Sequence, residues 1–90
     1  MSVRIELAHV LAELAGGAER VEVEADTVGA ALRALTARHP ALAPLVWREG
    51  RFNDQLVAIL NREDVRRLQA LDTPLRPGDA LMLITAVEGG

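Results

Sequence analysis

The residues with the clearest chemical potential stand at the end of the chain, Ala86-Val87-Glu88-Gly89-Gly90. Glycines have no side chain to bury in a core, and without a Cβ atom such a segment can pass close to another backbone. Five extended residues span about 17 Å, which is enough to carry a carboxylate into the site of another protein. The sequence therefore predicts a flexible tail at 86–90 that presents the Gly90 carboxylate. The alternative is a frayed terminus that ends in glycine by chance.

The composition favours an acyl donor over an acceptor. All 10 basic residues are arginine, so the N-terminus is the only amine that could accept an acyl group. The chain also contains no cysteine, which excludes disulfides, thiolate nucleophiles and cysteine-based metal sites, and gives no sign of an oxidising compartment.

Charge and hydropathy limit the partners. A formal net charge of −3, with one Trp and one Phe, argues against a nucleic-acid binder that relies on phosphate contacts and base stacking. No apolar run approaches the roughly 18–20 residues needed to span a bilayer, and the charged start of the chain is unlike a signal peptide. We therefore expect a cytoplasmic protein with neither nucleic-acid nor membrane partners.

No catalytic or metal centre is expected. His9 and His39 are far apart in sequence and have no carboxylates at ligand spacing, so both are taken as surface or helix-end residues. Glu63 and Asp64 could act as an acid–base pair, but a solvated turn is the favoured interpretation.

Four arginines near one predicted turn form a candidate docking patch: Arg62, Arg66, Arg67 and Arg76. A cluster of positive charge suits an acidic partner surface. A solvated face with no partner is the alternative.

The first half of the chain predicts two strands and a helix. Alternation of apolar and polar residues indicates strands over Ser2–Leu7 and over 19–24, joined through Gly16-Gly17 as an antiparallel hairpin, with a short helical turn or irregular crossing at 9–14. N-cap chemistry at Asp26-Thr27 then opens a helix at about Val28–Arg38, which Pro40 ends. Its apolar stripe comprises Val28, Ala31, Leu32 and Leu35, with Ala34 as a possible further member.

The second half predicts more strands. Residues 41–47 are apolar but broken by proline, so we expect a packed turn with Trp47 as a lid on the core. Residues 48–51 form a turn, 55–60 a central strand, 61–64 a turn and 80–86 the last strand. Val65-Arg66 is predicted to pair briefly, and a sharp turn is expected at 75–79. Three leucines are predicted to anchor the connecting segment: Leu68, Leu71 and Leu75.

This order of elements predicts a two-layer α+β domain. The helix must bury its stripe on one face of a mixed sheet of about four to five strands, with the last strand beside the first. The arrangement matches the β-grasp, or ubiquitin-like, fold in one domain over 1–90. The opposite face of the sheet is expected to expose Val, Leu or Ile side chains to a partner.

Several segments together resemble the MoaD/ThiS sulfur-carrier family. They are the strand and acidic turn at 56–66, the Thr-Pro-Leu and Gly-Asp motifs at 72–79, the Gly-Gly terminus, and in the first half Leu14-Ala15-Gly16-Gly17 and Asp26-Thr27-Val28. The resemblance covers essentially the whole chain.

The resemblance implies a chemistry for Gly90. Its carboxylate would be adenylated by an ATP-dependent, ubiquitin-activating-type enzyme, converted by a sulfur donor to a thiocarboxylate, and used by a sulfur-accepting biosynthetic enzyme. Val87, Glu88, Gly89 and Gly90 would enter the active sites of these partners. The chain itself would bind no cofactor and would be a co-substrate rather than an enzyme, or the small subunit of a synthase complex.

Three function classes follow. The first is a sulfur carrier. Because of the additional segment 41–54, we rank molybdopterin synthesis first among the pathways that it would serve, and the synthesis of cysteine, secondary metabolites or thiamine next. The alternative is a ubiquitin-like modifier that joins Gly90 to a lysine of another protein. The third is a plain binding module or enzyme subunit that is never activated.

Overall fold

A computed structural model describes residues 2–86 and contains seven strands and three α-helices in that range. The strands are β1 Ser2–Leu7, β2 Arg20–Glu24, β3 Trp47–Arg48, β4 Arg51–Phe52, β5 Leu56–Leu60, β6 Glu63–Asp64 and β7 Ala80–Thr85. The α-helices are α1 His9–Leu14, α2 Val28–Arg38 and α3 Ala43–Val46. Three 3₁₀ turns occupy Pro40–Leu42, Val65–Arg67 and Ala70–Asp72.

Five of the strands form one mixed sheet in the order β2-β1-β7-β5-β6. β1 and β7 are parallel, and every other neighbouring pair is antiparallel. The last strand therefore lies beside the first, and β5 lies inside the sheet, as the sequence predicted.

The first antiparallel pair forms because its alternation places one apolar face inward. Val3, Ile5 and Val21 are at most 4% exposed, and Ile5 stands directly opposite Val21. The predicted pairing is confirmed, but the link between the strands is longer than a tight reversal. It contains α1, and Gly16 and Gly17, with φ of +71° and +89°, return the chain to β2.

Helix α2 begins and ends where local chemistry predicts. The Thr27 hydroxyl accepts a hydrogen bond from the Ala30 N–H at 3.1 Å, which caps the helix before Val28, and the last helical residue precedes His39 and Pro40. The predicted stripe is fully buried in the one described core: Val28, Ala31, Leu32 and Leu35. The helix covers one face of the sheet.

Trp47 lies over the edge of this core. Its indole N–H donates to the Thr36 hydroxyl at 3.1 Å, and its ring packs edge-on against Phe52 with centroids 6.4 Å apart. The Arg33 guanidinium stacks on the ring, 5.5 Å from the centroid. The indole is half-buried against the core, as expected of a lid. No pattern in the sequence indicated that Trp47 begins a short hairpin, β3–β4.

The predicted pairing at Val65-Arg66 is wrong. Positive φ angles at Asn61 and Arg62, +49° and +77°, make a two-residue hairpin, so Glu63–Asp64 pairs with β5 instead. Val65 then begins a 3₁₀ turn, because the Asp64 side chain accepts the Arg66 N–H at 2.9 Å.

Two of the three leucines predicted to anchor the connecting segment contact the core. Leu75 is 4% exposed and belongs to the core, and Leu71 packs against it. Leu68 is 44% exposed, so its predicted anchoring is wrong. A φ of +52° at Ala70 breaks the helical spacing on which that prediction relied. The sharp turn at 75–79 is confirmed by the Asp79 N–H bond to the Arg76 carbonyl at 3.0 Å.

Candidate functional site

The point at which the chain leaves the sheet defines the candidate site. β7 ends at Thr85, and the Ala86 N–H still donates to the Gln55 carbonyl at 2.8 Å, so β5 holds the first residue of the predicted tail. Val87, Glu88, Gly89 and Gly90 lie outside the described residues. The site is therefore built from the surfaces on either side of Thr85.

The outer face of the sheet carries an apolar patch beside this point. The register places Met82 opposite Ile59 and Ile84 opposite Val57 on the face away from α2. Met82 is 41% exposed, and the other three side chains are half-buried. We call these four residues the outer patch: Val57, Ile59, Met82 and Ile84. Their exposure confirms that the outer face presents apolar side chains.

The outer patch occupies only half of the face. The other half, on β1 and β2, carries charged side chains: Arg4, Glu6, Arg20, Glu22 and Glu24. A groove of about 480 Å³ continues from Met82 and Ile84 past Arg20 to His9. An exposed apolar surface with a polar border is typical of a protein-binding site.

The four predicted docking arginines are distributed over three turns. Arg62 lies in the β5–β6 turn and Arg76 in the turn before β7, and an Asn61–Asp79 side-chain hydrogen bond of 3.1 Å joins these two turns. Since β7 starts here and ends at Thr85, Arg62 and Arg76 lie at the end of the sheet opposite the tail.

Arg66 and Arg67 follow β6 on the 3₁₀ turn. The Arg66 guanidinium contacts Asp64 at 2.7 Å through Nη2, and its Nε donates to the same carboxylate at 3.2 Å. Hydrogen bonds from the Arg66 side chain and backbone lower the pKa of Asp64, and the bond to Asp64 raises the pKa of Arg66. The charge of Arg66 is therefore already paired, while Arg67 is exposed.

A buried asparagine fixes the β3–β4 hairpin beside the tail. Asn53 is 6% exposed, and its side chain donates to the Leu45 carbonyl at 2.8 Å and accepts the Gln55 N–H at 3.0 Å. Its own N–H donates to the Val46 carbonyl at 2.8 Å. These bonds tie α3, the hairpin and the start of β5 together.

We expect Asn53→Ala to lower the free energy of unfolding by about 2 kcal/mol, because two partly buried backbone groups lose their partner. Urea denaturation measures this change. Asp54→Ala, at the exposed neighbouring position, is the matched control and is expected to stay within about 0.5 kcal/mol of the parent. Equal effects of the two substitutions would contradict this role for Asn53.

The described residues hold no group of three or more side chains that could bind a metal. His9 does have one carboxylate four residues on, which the sequence analysis did not expect: it faces Glu13 at 3.7 Å, and both side chains are largely exposed. Asp64 is bonded to Arg66, so its arrangement is that of a capped turn rather than an acid–base pair. Within 2–86, no helix is long and apolar enough to cross a membrane.

The model of the ThiS family matches residues 5–90. The chain belongs to the ThiS family. Small archaeal modifier protein 1 of Haloferax volcanii is 41% identical over 83 residues, covering 89% of this chain and 91% of its own. A crystal structure of SAMP1 from that organism has a TM-score of 0.86 at 37% identity, with both chains fully covered.

Two carriers complete the comparison. Sulfur carrier protein CysO of Mycobacterium tuberculosis is 28% identical over 93 aligned positions that span both chains. The crystal structure of the Amycolatopsis orientalis BexX/CysO complex has a TM-score of 0.88 at 27% identity, covering 98% and 99% of the two chains. The β-grasp fold is confirmed. The relatives are named as carriers or modifiers, so the prediction that this ThiS-family chain is not an enzyme is also confirmed.

Two features of this ThiS-family chain could not be located from the sequence. The outer patch needs the strand register, and it includes Met82, which the sequence analysis did not single out. Arg48 and Arg51 were assigned only to a turn, yet the hairpin holds them at the tail side of the sheet. In both cases the sequence shows the residue types, apolar or basic, but does not show which residues lie together on one surface.

Proposed function

We propose that this chain is a sulfur carrier whose Gly90 carboxylate is adenylated and then converted to a thiocarboxylate. The observation that carries the proposal is the ThiS-family match, which extends from Ile5 through the two glycines to Gly90. The name of the CysO relative supports it. β7 also leads straight to the tail from a surface that exposes apolar side chains.

The chemistry fits a carboxylate presented on a slim tail. A Gly90 carboxylate oxygen attacks the α-phosphorus of ATP, pyrophosphate leaves, and an acyl adenylate forms. A sulfur nucleophile at the oxidation level of sulfide then displaces AMP and leaves a thiocarboxylate. Both steps take place in partner sites, which glycine residues can enter because they have no Cβ.

The proposal needs three kinds of partner. A ubiquitin-activating-type enzyme binds the ATP, a sulfur donor supplies the sulfur, and a biosynthetic enzyme accepts it. The chain itself holds no cofactor in this scheme. We place the reaction in the cytoplasm, where ATP is supplied. The BexX/CysO complex offers a precedent for a similar carrier bound to another protein.

A ubiquitin-like modifier is the second candidate, and the 41% identical relative, which is named a modifier, favours it. In that case Gly90 would form an isopeptide bond with a lysine of a target. Because this chain has no lysine, it could not be extended into chains of itself through side-chain amines.

The choice of acceptor pathway stays a prediction. The segment 41–54, which ranked molybdopterin-type chemistry first, forms α3 and the β3–β4 hairpin next to the tail. Its position suits a contact that distinguishes one partner from another. Thiocarboxylated protein incubated with candidate acceptor enzymes would reveal which of them removes the sulfur.

Intact mass spectrometry of the protein from its native host, with and without a thiol-alkylating reagent, tests the proposal. A carrier is expected to show a species in which sulfur replaces one oxygen, which reacts with the reagent and maps to Gly90. Species that join Gly90 to a lysine of another protein, with no thiocarboxylate, would select the modifier. The same spectrum tells whether Gly90 is the last residue of the native chain.

A further inference from the structure

The β3–β4 hairpin arranges two arginines side by side. Its turn residues, Glu49 and Gly50, have φ of +54° and +78°, which is the geometry of a tight two-residue hairpin turn. The register then sets Trp47 opposite Phe52 and Arg48 opposite Arg51. Since side chains alternate between the faces of a strand, the aromatic pair and the arginine pair lie on opposite faces.

The aromatic face holds the hairpin to the domain. Trp47 bonds to Thr36 of α2 and packs edge-on against Phe52, which leaves the arginine face directed outward. Both arginines are exposed. The orientation of the arginine pair is therefore set by the core.

The pair has no internal charge partner. In the range 2–86, the guanidinium group of neither Arg48 nor Arg51 makes a hydrogen bond or ion pair, although Glu49 and Asp54 line the same depression. Like charges directly opposite each other on neighbouring strands destabilise a hairpin. Stability alone gives no reason for this arrangement, whereas an external anion does.

The pair also stands at the tail. Arg48 lines a mostly apolar groove of about 220 Å³ together with Val10, Leu45, Gln55 and Thr85. Thr85 is the last residue of β7, and Gln55 accepts the hydrogen bond from Ala86. The start of the tail thus lies between the outer patch on one side of the sheet and the arginine hairpin on the other.

We propose that Arg48 and Arg51 form a docking site for Asp and Glu carboxylates on the activating enzyme, around the entrance of the site that receives Gly90. Guanidinium groups bind carboxylates with two parallel hydrogen bonds, which gives direction as well as attraction. This inference rests on the proposed function. In this scheme Arg48 and Arg51, and not Arg62 and Arg76 at the far end of the sheet, are the principal basic residues that contact the activating enzyme.

The length of the tail favours a protein surface over the nucleotide. The segment 87–90 can carry the Gly90 carboxylate about 13 Å from Ala86 when it is extended. The phosphates of ATP must meet that carboxylate. The arginine pair, fixed at the base of the tail, would then face the rim of the partner's site and not its reaction centre.

The test is ATP–pyrophosphate exchange catalysed by the purified adenylating enzyme of the host, measured against carrier concentration at low and high salt. We expect R48E/R51E to raise KM about 10-fold, to leave kcat within about twofold and to flatten the salt dependence of kcat/KM. R62E/R76E changes the net charge by the same amount at the opposite end and is expected to raise KM by less than about threefold. The neutral R48Q/R51Q should give an intermediate KM.

Circular dichroism melting first establishes that each variant is folded. Equal KM changes for the two charge reversals would mean that net charge alone acts, and would overturn the proposal. A loss in kcat with KM unchanged would also overturn it and would point to a contact with the nucleotide. If the wild-type chain supports no exchange, the proposed function fails and this inference fails with it. Normal exchange by R48E/R51E refutes this inference alone.

Discussion

Removal of Gly89 and Gly90 is expected to abolish adenylation of the chain and to leave its melting temperature within about 2 °C of the parent. The shortened tail would hold its carboxylate about 7 Å short of the reacting position. Misplacement of a reacting atom by 1 Å can cost on the order of 100-fold in rate, so exchange should fall below detection. The described core runs from Val3 to Leu83 and needs neither glycine.

Two measurements on the same preparation check this expectation: ATP–pyrophosphate exchange and thermal melting. A chain with two glycines added after Gly90 is the matched comparison. It should also fail in exchange with an unchanged melting temperature, because its carboxylate is displaced in the other direction. A fall in melting temperature of more than about 5 °C in the shortened chain would mean that the glycines stabilise the domain. Exchange that persists in it would exclude Gly90 as the reacting residue.

The parts of the fold that sequence predicted are those with local signals. Helix α2 has a capping threonine at its start and Pro40 just past its end, so both bounds could be placed by inspection. The inward positions of Val21 and Val23 follow from strict alternation. The parallel pairing of β1 with β7 has no local signal, and it was expected only from the topology of the β-grasp fold.

The parts that sequence missed depend on short elements and on register. β3 and β4 have two residues each, which is too short for any periodicity to appear. Leucine spacing suggested that Leu68 was an anchor, but positive φ at Ala70 turns the chain out of helical geometry and leaves that side chain exposed. Backbone angles of this kind at alanine carry no warning in the sequence.

In the candidate site, too, some features have a local sequence signal and others depend on strand register. The glycines and their chemistry could be recognised from residue types alone. The surfaces beside the tail could not, because a one-residue shift in strand register would move Met82 into the core and Leu83 to the surface. For the same reason, Arg48 and Arg51 become a pair only when the hairpin sets them opposite each other.

The outer patch yields the second large expected effect. Met82→Asp should lower kcat/KM for activation by about 30-fold or more, because a partner that covers Met82, Ile59 and Ile84 would have to bury an unpaired carboxylate. That factor corresponds to a loss of about 2 kcal/mol in binding. The side chain points outward and is 41% exposed, so we expect the variant to fold, with some loss of stability because Glu6 stands beside it on β1.

Leu68→Asp is the control that tests whether a new negative charge must lie on the outer patch to impair activation, or whether it impairs activation anywhere on the surface. Leu68 is 44% exposed, close to the value for Met82, but it lies on the segment between β6 and β7 and outside the outer face. Both variants remove one exposed apolar side chain and add one negative charge, so a loss confined to Met82→Asp assigns the contact to the outer patch. Equal losses would mean that the added charge acts at long range, and the patch would then have no special part in activation.

A third outcome would show that the outer patch serves sulfur transfer to the acceptor and not activation of Gly90. Thiocarboxylated Met82→Asp protein that is activated normally, but no longer gives up its sulfur to an acceptor enzyme, would assign the outer patch to the acceptor. The activating enzyme would then approach from the Arg48 and Arg51 side of the tail. Because the tail begins between these two surfaces, one carrier could present different sides to successive partners while the same Gly90 enters each site.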